Sequence, residues 1–225
     1  MIASNIESVR QRIAKACSNS GRSIDDVRLV CVTKEATCAD AKQVLGLGVR
    51  DLGENRVQEL VLKYNDIGDK AVWHLIGHLQ TNKVRDVVKI ASLIHSVDSE
   101  KIAKEIDKEA AKINKIQGVL IQVNISGEET KFGIDPGEVS EFFKKITLYR
   151  NINIKGLMTI APESEDPERA RPHFRALREL KDKLNSLNIT QHPLAILSMG
   201  MTGDFEVAIE EGSNMIRVGR AIFGG

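Results

Sequence analysis

The fold class predicted by this sequence is α/β, a single parallel (β/α)8 TIM barrel preceded by an extra N-terminal helix, and three observations predict it. Eight short runs rich in β-branched and apolar residues alternate with helical patterns along the 225 residues. The first run, residues 27–34, is apolar at both parities, with Val30 and Val32 on one side and Leu29 and Cys31 on the other. That pattern marks a strand covered on both faces, as in a parallel sheet. No G-x-G-x-x-G turn follows it, which favours a closed barrel over an open doubly wound sheet.

The elements follow in order. Ile2, Ile6, Val9, Ile13 and Ala16 recur at three- and four-residue intervals, an amphipathic helix closed by Gly21. Strand one ends on Lys34, and a helix over 39–47 stops at Gly48. Residues 49–55 form strand two, 56–67 a helix, 72–79 strand three and 83–91 a helix. Strand four is 93–97, and Ser99 caps a helix running to about Asn114. Strand five, 118–125, leads into a glycine-containing loop up to Pro136 and a helix. Strand six, 152–160, precedes Pro162 and a long charged helix over 167–187. Strand seven is 195–201, followed by a helix over 204–211, and strand eight is 215–223. No linker, low-complexity segment or repeat divides the chain, so residues 1–225 read as one domain.

Composition removes several function classes. Thirty-two basic and thirty-one acidic side chains leave a charge of +1, and aromatics are only 4%, which gives nucleic-acid binding no support. No apolar run is long enough to span a bilayer, and the first ten residues lack a signal peptide's apolar core. Three cysteines (Cys17, Cys31, Cys38) without C-x-x-C spacing imply neither a disulfide framework nor a zinc site, and point to a reducing cytoplasm. The N-x-S/T triplets at Asn124 and Asn188 therefore carry no glycosylation meaning.

In a barrel, functional groups collect at the carboxyl ends of strands, and phosphate often binds after strands seven and eight. Lys34 stands at the first such end; a lysine there more often simply reaches water. The loops after strands seven and eight are 198–203 (S-M-G-M-T-G) and 217–220 (R-V-G-R); the first offers two hydroxyls and two glycines where backbone N–H groups can approach an anion, just before a helix. An ordinary turn is the competing explanation. Arg217 alternates with Ile216 and Val218, so it points into the barrel and needs an acceptor. That acceptor is either a core carboxylate such as Asp51 or Glu54, or a ligand. Asn55 falls level with Lys34, as a turn former or a guide for a ligand. His74 and His78 read as core or pocket histidines rather than metal ligands, and no metal site is expected.

The blocks V-T-K (32–34), D-L-G-E-N-x-V-Q-E (51–59), W-H-L-I-G-H-L-Q-T-N-K (73–83), K-F-G (131–133), G-L-M-T-I (156–160), L-S-M-G-M-T (197–202) and I-R-V-G-R-A-I-F-G (216–224) resemble the pyridoxal phosphate homeostasis family. That family is related to the barrel domain of alanine racemase, and the likeness runs from about Val27 to Gly224. One departure is E-A-T at 35–37, where many members carry a loop richer in proline and lysine. The resemblance implies that Lys34 holds pyridoxal 5′-phosphate (PLP) as a Schiff base. It also implies that Ser198, Gly200, Thr202, Gly219 and the Arg220 backbone hold the phosphate, that Arg217 meets the pyridine nitrogen, and that Asn55 and Met158 line the pocket. A sheltered Lys34 near a cationic arginine would have a lowered pKa and attack more readily.

The implied role is storage, buffering or delivery of PLP in a cytoplasmic monomer, influencing amino-acid and keto-acid balance, with PLP-dependent apoenzymes as recipients and no membrane partner. Two alternatives are an amino-acid racemase and a class I aldolase-like barrel. The racemase lacks the second, β-rich domain that supplies a partner base in alanine racemase, and little racemase activity is expected. The aldolase would use Lys155, which lies five residues before Ile160 and too deep in strand six.

Overall fold

The structure, a computed structural model, describes residues 1–128, 131–187 and 192–224; Asn188 lies outside them. Eight parallel strands close into a barrel in chain order. They are β1 (Arg28–Val32), β2 (Asp51–Glu54), β3 (Val72–Leu75), β4 (Leu93–Val97), β5 (Gln117–Gln122), β6 (Ile152–Met158), β7 (Ile196–Ser198) and β8 (Met215–Val218). β8 returns to β1 with Val30 opposite Arg217 and Cys31 opposite Val218. The helices among the described residues are α1 (Ile2–Asn19), α2 (Cys38–Gly46), α3 (Val57–Ile67), α4 (Val84–Ile90), α5 (Glu100–Ala111), α6 (Val139–Ile146), α7 (Arg171–Ser186), α8 (Phe205–Glu210) and α9 (Arg220–Phe223).

Two-faced burial organises the strands as their alternation predicts. Val30, Leu93, Leu120, Met158 and Met215 form an apolar cluster inside the barrel. Cys31, Leu52, Ile94, Leu157, Ile216 and Val218 belong to the larger cluster that the helices cover. Helix starts follow local chemistry: Ser99 accepts from the Ile102 N–H at 3.4 Å, and Thr37 forms a reciprocal capping box with Asp40. Thr37 belongs to the divergent E-A-T stretch, so that segment serves to launch α2.

Several strands end earlier than expected. β3 stops at Leu75, and the chain then passes so near β2 that a Cβ on Gly77 would sit 2.2 Å from the Asn55 carbonyl oxygen. β8 ends at Val218, and the next residues coil into α9, with the Phe223 N–H donating to the Gly219 carbonyl. The helix expected over 167–187 is split into a 3-10 turn, Pro167–Ala170, and α7.

The expected extra helix has a structural place in the ring. Ile6, Val9, Ile13, Ala16 and Cys17 form its buried face, and α1 packs against α8, α9 and α2. Because α9 is only four residues long, α1 serves as the eighth covering helix, filling the ring between α8 and α2. Arg12 fastens it, 4.4 Å from the Phe205 ring centroid and 2.6 Å from Glu206. No helix among the described residues is long and apolar enough to cross a membrane.

Candidate functional site

Lys34 lies in the turn just after β1, at the carboxyl end of the barrel, and its side chain is exposed rather than sheltered. It borders a cleft of about 450 Å³ whose lining includes Val32, Ala36, Gly219, Arg220 and Phe223. Glu35 beside it takes φ +65°, the left-handed region that non-glycine residues seldom adopt. Asn55 is exposed just past β2; the pairing of Val32 with Gly53 brings it level with Lys34. Met158 is fully buried in the interior cluster.

Beneath the Lys34 turn is a buried ion pair that sequence reasoning missed. Lys63 Nζ, on α3, donates to the Thr33 carbonyl at 2.5 Å and to Glu54 Oε1 at 2.6 Å. The Thr33 hydroxyl donates to the same oxygen at 2.5 Å, while Glu54 Oε2 has no partner among the described residues. Burial pushes the Glu54 carboxyl up, against the opposing pull of Lys63 and Thr33. Lys63 therefore grips the carbonyl one residue before Lys34. The signal for it was present: it shares the buried face of α3 with Val57, Leu60 and Ile67.

Arg217 points into the barrel as its alternation predicts, and is 4% exposed. Its acceptors are neither Asp51 nor Glu54. It donates to Ser198 Oγ at 2.6 Å and to the Thr159 carbonyl at 2.9 Å. Burial lowers its pKa to about 10, which leaves it cationic at neutral pH. The far side of Ser198 Oγ lies 2.9 Å from His95 Nδ1, His95 Nε2 lies 2.9 Å from His74 Nδ1, and His74 Nε2 lies 2.9 Å from Asp51 Oδ1. Asp51 is thus connected to Arg217 through three side chains. His95 is fully buried, and that burial, with the neighbouring His74 and the Arg217 cation adding to it, holds its pKa well below the usual histidine value.

The two loops expected to bind phosphate do meet. Thr202 Oγ1 accepts from the Ala221 N–H at 3.4 Å, and Gly200 adopts φ +94°. A Cβ on Gly200 would lie 2.6 Å from the Ala208 Cβ, and one on Gly219 would lie 3.0 Å from the Val32 carbonyl oxygen. The N–H groups of Thr202 and Gly203 donate to no described residue, while Asp204 Oδ1 takes the Met201 N–H at 2.6 Å. Arg220 is exposed. The Ser198 hydroxyl differs from expectation: it is turned inward, fully buried between Arg217 and His95. The helix behind the loop, α8, spans six residues, so little macrodipole is available there.

His78 lies outside that chain, 3.3 Å from Asp98 and stacked on Phe132 at 4.1 Å between ring centroids. No cluster of metal-ligating side chains occurs among the described residues. The Lys155 side chain lies against Gly118, its Cε 3.1 Å from where a Cβ on that glycine would stand, at the strand-start end of β5 and opposite the mouth. A larger groove of about 780 Å³, lined by Lys101, Lys104, Lys108 and Tyr149 among others, runs over the outer helices and shares no residue with the mouth.

Comparison with known proteins adds a second line of information. The profile of the alanine racemase N-terminal domain matches residues 2–225. A pyridoxal phosphate homeostasis protein of Aquifex aeolicus is 45% identical over 218 residues, 96% of this chain and 94% of that one. A crystal structure of an unknown protein from Bifidobacterium adolescentis aligns with TM-score 0.94 at 36% identity, covering 99% of this chain and 94% of that one. The structure of PipY from Synechococcus elongatus with PLP bound aligns with TM-score 0.87 at 31% identity, covering 100% of both chains.

Proposed function

The chain belongs to the pyridoxal phosphate homeostasis family, within the alanine racemase N-terminal domain family, and from that premise we propose that it binds PLP reversibly at the mouth of its barrel to store, buffer or deliver the cofactor. In this reading residues 1–225 act as one PLP-binding domain, monomeric, in a reducing cytoplasm, with PLP-dependent apoenzymes as recipients. The observation that carries it is one juxtaposition. Strand pairing between β1 and β8 sets the Lys34 turn beside Gly219 and above the buried Arg217, with the 200–203 loop tied to the same place through Thr202.

The donor set fits PLP. Lys34 is a primary amine at the rim of the cleft. Arg217 is a buried cation directed inward, suited to a pyridine nitrogen acceptor. Gly200 and Gly219 keep side chains out of the place where the loops come together, and the Thr202 and Gly203 N–H groups are available to phosphate oxygens. Asn55 and Met158 border the ring, and Arg220 contributes its backbone. Ser198 acts on this site through Arg217, since its hydroxyl is engaged below. When bound, PLP supplies an aldehyde that condenses reversibly with a primary amine, with loss of one water.

The test is borohydride reduction of the PLP-loaded protein followed by peptide mapping. The pyridoxyl group is expected on Lys34, and Lys34→Ala should take up none while remaining folded. Label on Lys83 or Lys155 instead would overturn the assignment. Racemase turnover is not expected: racemisation needs an acid/base group on each face of the substrate α-carbon, and Lys34 is the one lysine among the described residues lining the cleft. An arginine at the ring nitrogen also makes the ring a weaker electron sink, though it does not forbid the reaction alone. Lys34-dependent racemisation of L- or D-amino acids at about 1 s⁻¹ or faster would replace the carrier reading with an enzyme.

A further inference from the structure

The chain of side chains running from Arg217 to Asp51 crosses the barrel interior and has a fixed direction. Arginine can only donate and a carboxylate can only accept, so both ends are set. Arg217 donates to Ser198 Oγ; the serine proton then points to His95 Nδ1. His95 must carry its proton on Nε2 and donate to His74 Nδ1. His74 in turn carries its proton on Nε2 and donates to Asp51 Oδ1. One arrangement of protons satisfies every link, with both imidazoles neutral. Each link is 2.6 to 2.9 Å long. His74, His95, Ser198 and Arg217 are each no more than 4% exposed. Asp51, at the strand-start end, is paired with Arg28 at 3.6 Å.

A guanidinium can rotate and slide on its flexible stem unless its N–H groups are committed. Here one nitrogen is committed to the Thr159 carbonyl and another to Ser198. Once the serine proton is committed to His95, the hydroxyl can no longer rotate, and a lone pair stays turned toward Arg217. We propose that Asp51, His74, His95 and Ser198 form a positioning relay that holds Arg217 aimed at the ring nitrogen of the bound cofactor. The proposal rests on the PLP reading of the site. His74 and His95 are positioning residues: they act on the cofactor only through Ser198 and Arg217.

The test has an arm without cofactor and an arm with it. In the full-length apo-protein at pH 7, nitrogen-15 NMR should find His74 and His95 both in the Nε2–H tautomer. An Nδ1–H tautomer or a protonated ring at either position would overturn the relay. In the loaded protein, the release rates of PLP and of 1-deaza-PLP, which lacks the ring nitrogen, are compared. His74→Leu and Ser198→Ala should each speed PLP release about tenfold or more, the loss expected for a hydrogen bond to a charged group. Neither should change the release of 1-deaza-PLP. His74→Gln, whose amide can accept from His95 and donate to Asp51, should restore the wild-type rate. Equal acceleration for both ligands would mean a general loosening of the barrel and would overturn the relay, as would unchanged PLP release in both variants. If His74→Leu fails to fold, Ser198→Ala and the apo tautomers still decide. Failure of wild-type protein to bind either ligand would sink the PLP reading itself, an outcome distinct from all of these.

Discussion

Lys63 stands on α3 where an apolar residue is due, yet it is nearly buried and salt-bridged to the fully buried Glu54. Desolvating two charges is expensive, and such a pair survives only when both partners remain. Removing the ammonium leaves Glu54 buried with only the Thr33 hydroxyl as donor. Lys63→Met is therefore expected to cost about 3–5 kcal/mol in a urea titration. Lys63→Met combined with Glu54→Gln should cost less than the single change, and simple additivity would show that the two are uncoupled. At this scale the sequence was legible where a single strand decides the answer. Ile216 and Val218 face outward, so Arg217 had to face inward; a strand-end lysine had to reach the mouth. It was not legible where partners come from different strands. Ser198 looked like a phosphate ligand because its loop is glycine-rich, and only the register of β3, β4, β7 and β8 shows its hydroxyl between His95 and Arg217. Polar residues at the inward parity of successive strands (Asp51, His74, His95) were the available signal.

Helix α1 was readable from its apolar spacing, whereas its place in the ring was not, because nothing local says which strands it covers. The short α9 makes the difference: it leaves a gap in the ring between α8 and α2, and α1 packs into it. Ile13, 4% exposed, is accordingly a core residue, and Ile13→Ala should destabilise by about 2–5 kcal/mol. A cost within about 0.5 kcal/mol, typical of surface changes, would mark α1 as an appendage. The junction between β2 and β3 gives a second expectation. Gly77→Ala would push a methyl to 2.2 Å from the Asn55 carbonyl oxygen, so the backbone carrying Asn55 must move. The variant should lose both stability and affinity for PLP. Gly46→Ala, in α2 with nothing within 4 Å of the added carbon, is the control, and should gain about 0.5–1 kcal/mol from reduced chain entropy. If Gly77→Ala binds PLP as the wild type does, the Asn55 turn is not part of the site.

Acid titration of the whole molecule joins the buried groups in one curve. His95 is held neutral by burial, with His74 and Arg217 adding to the effect, so its folded pKa lies well below the ordinary 6.5. In the unfolded chain the same residue takes up a proton as pH falls through that value. Between the two pKa values the unfolded state binds more protons, and stability falls with acidification by up to about 1.4 kcal/mol per pH unit. Glu54, Asp98 and Asp204 work in the opposite direction: burial raises each carboxyl. The folded protein therefore binds their protons first, and they favour the folded state as pH falls below their raised pKa values. The raw curve mixes these contributions, and a variant separates them. His95→Gln removes the titrating ring and leaves the three carboxyls in place. Wild-type protein starts with the greater stability at neutral pH, because the relay is intact. Its advantage should shrink steadily from about pH 6.5 to pH 5, read as the gap between two urea-unfolding series. A gap that stays constant across that range would mean that His95 protonates alike in both states. Its burial between Ser198 and His74 would then not govern its charge.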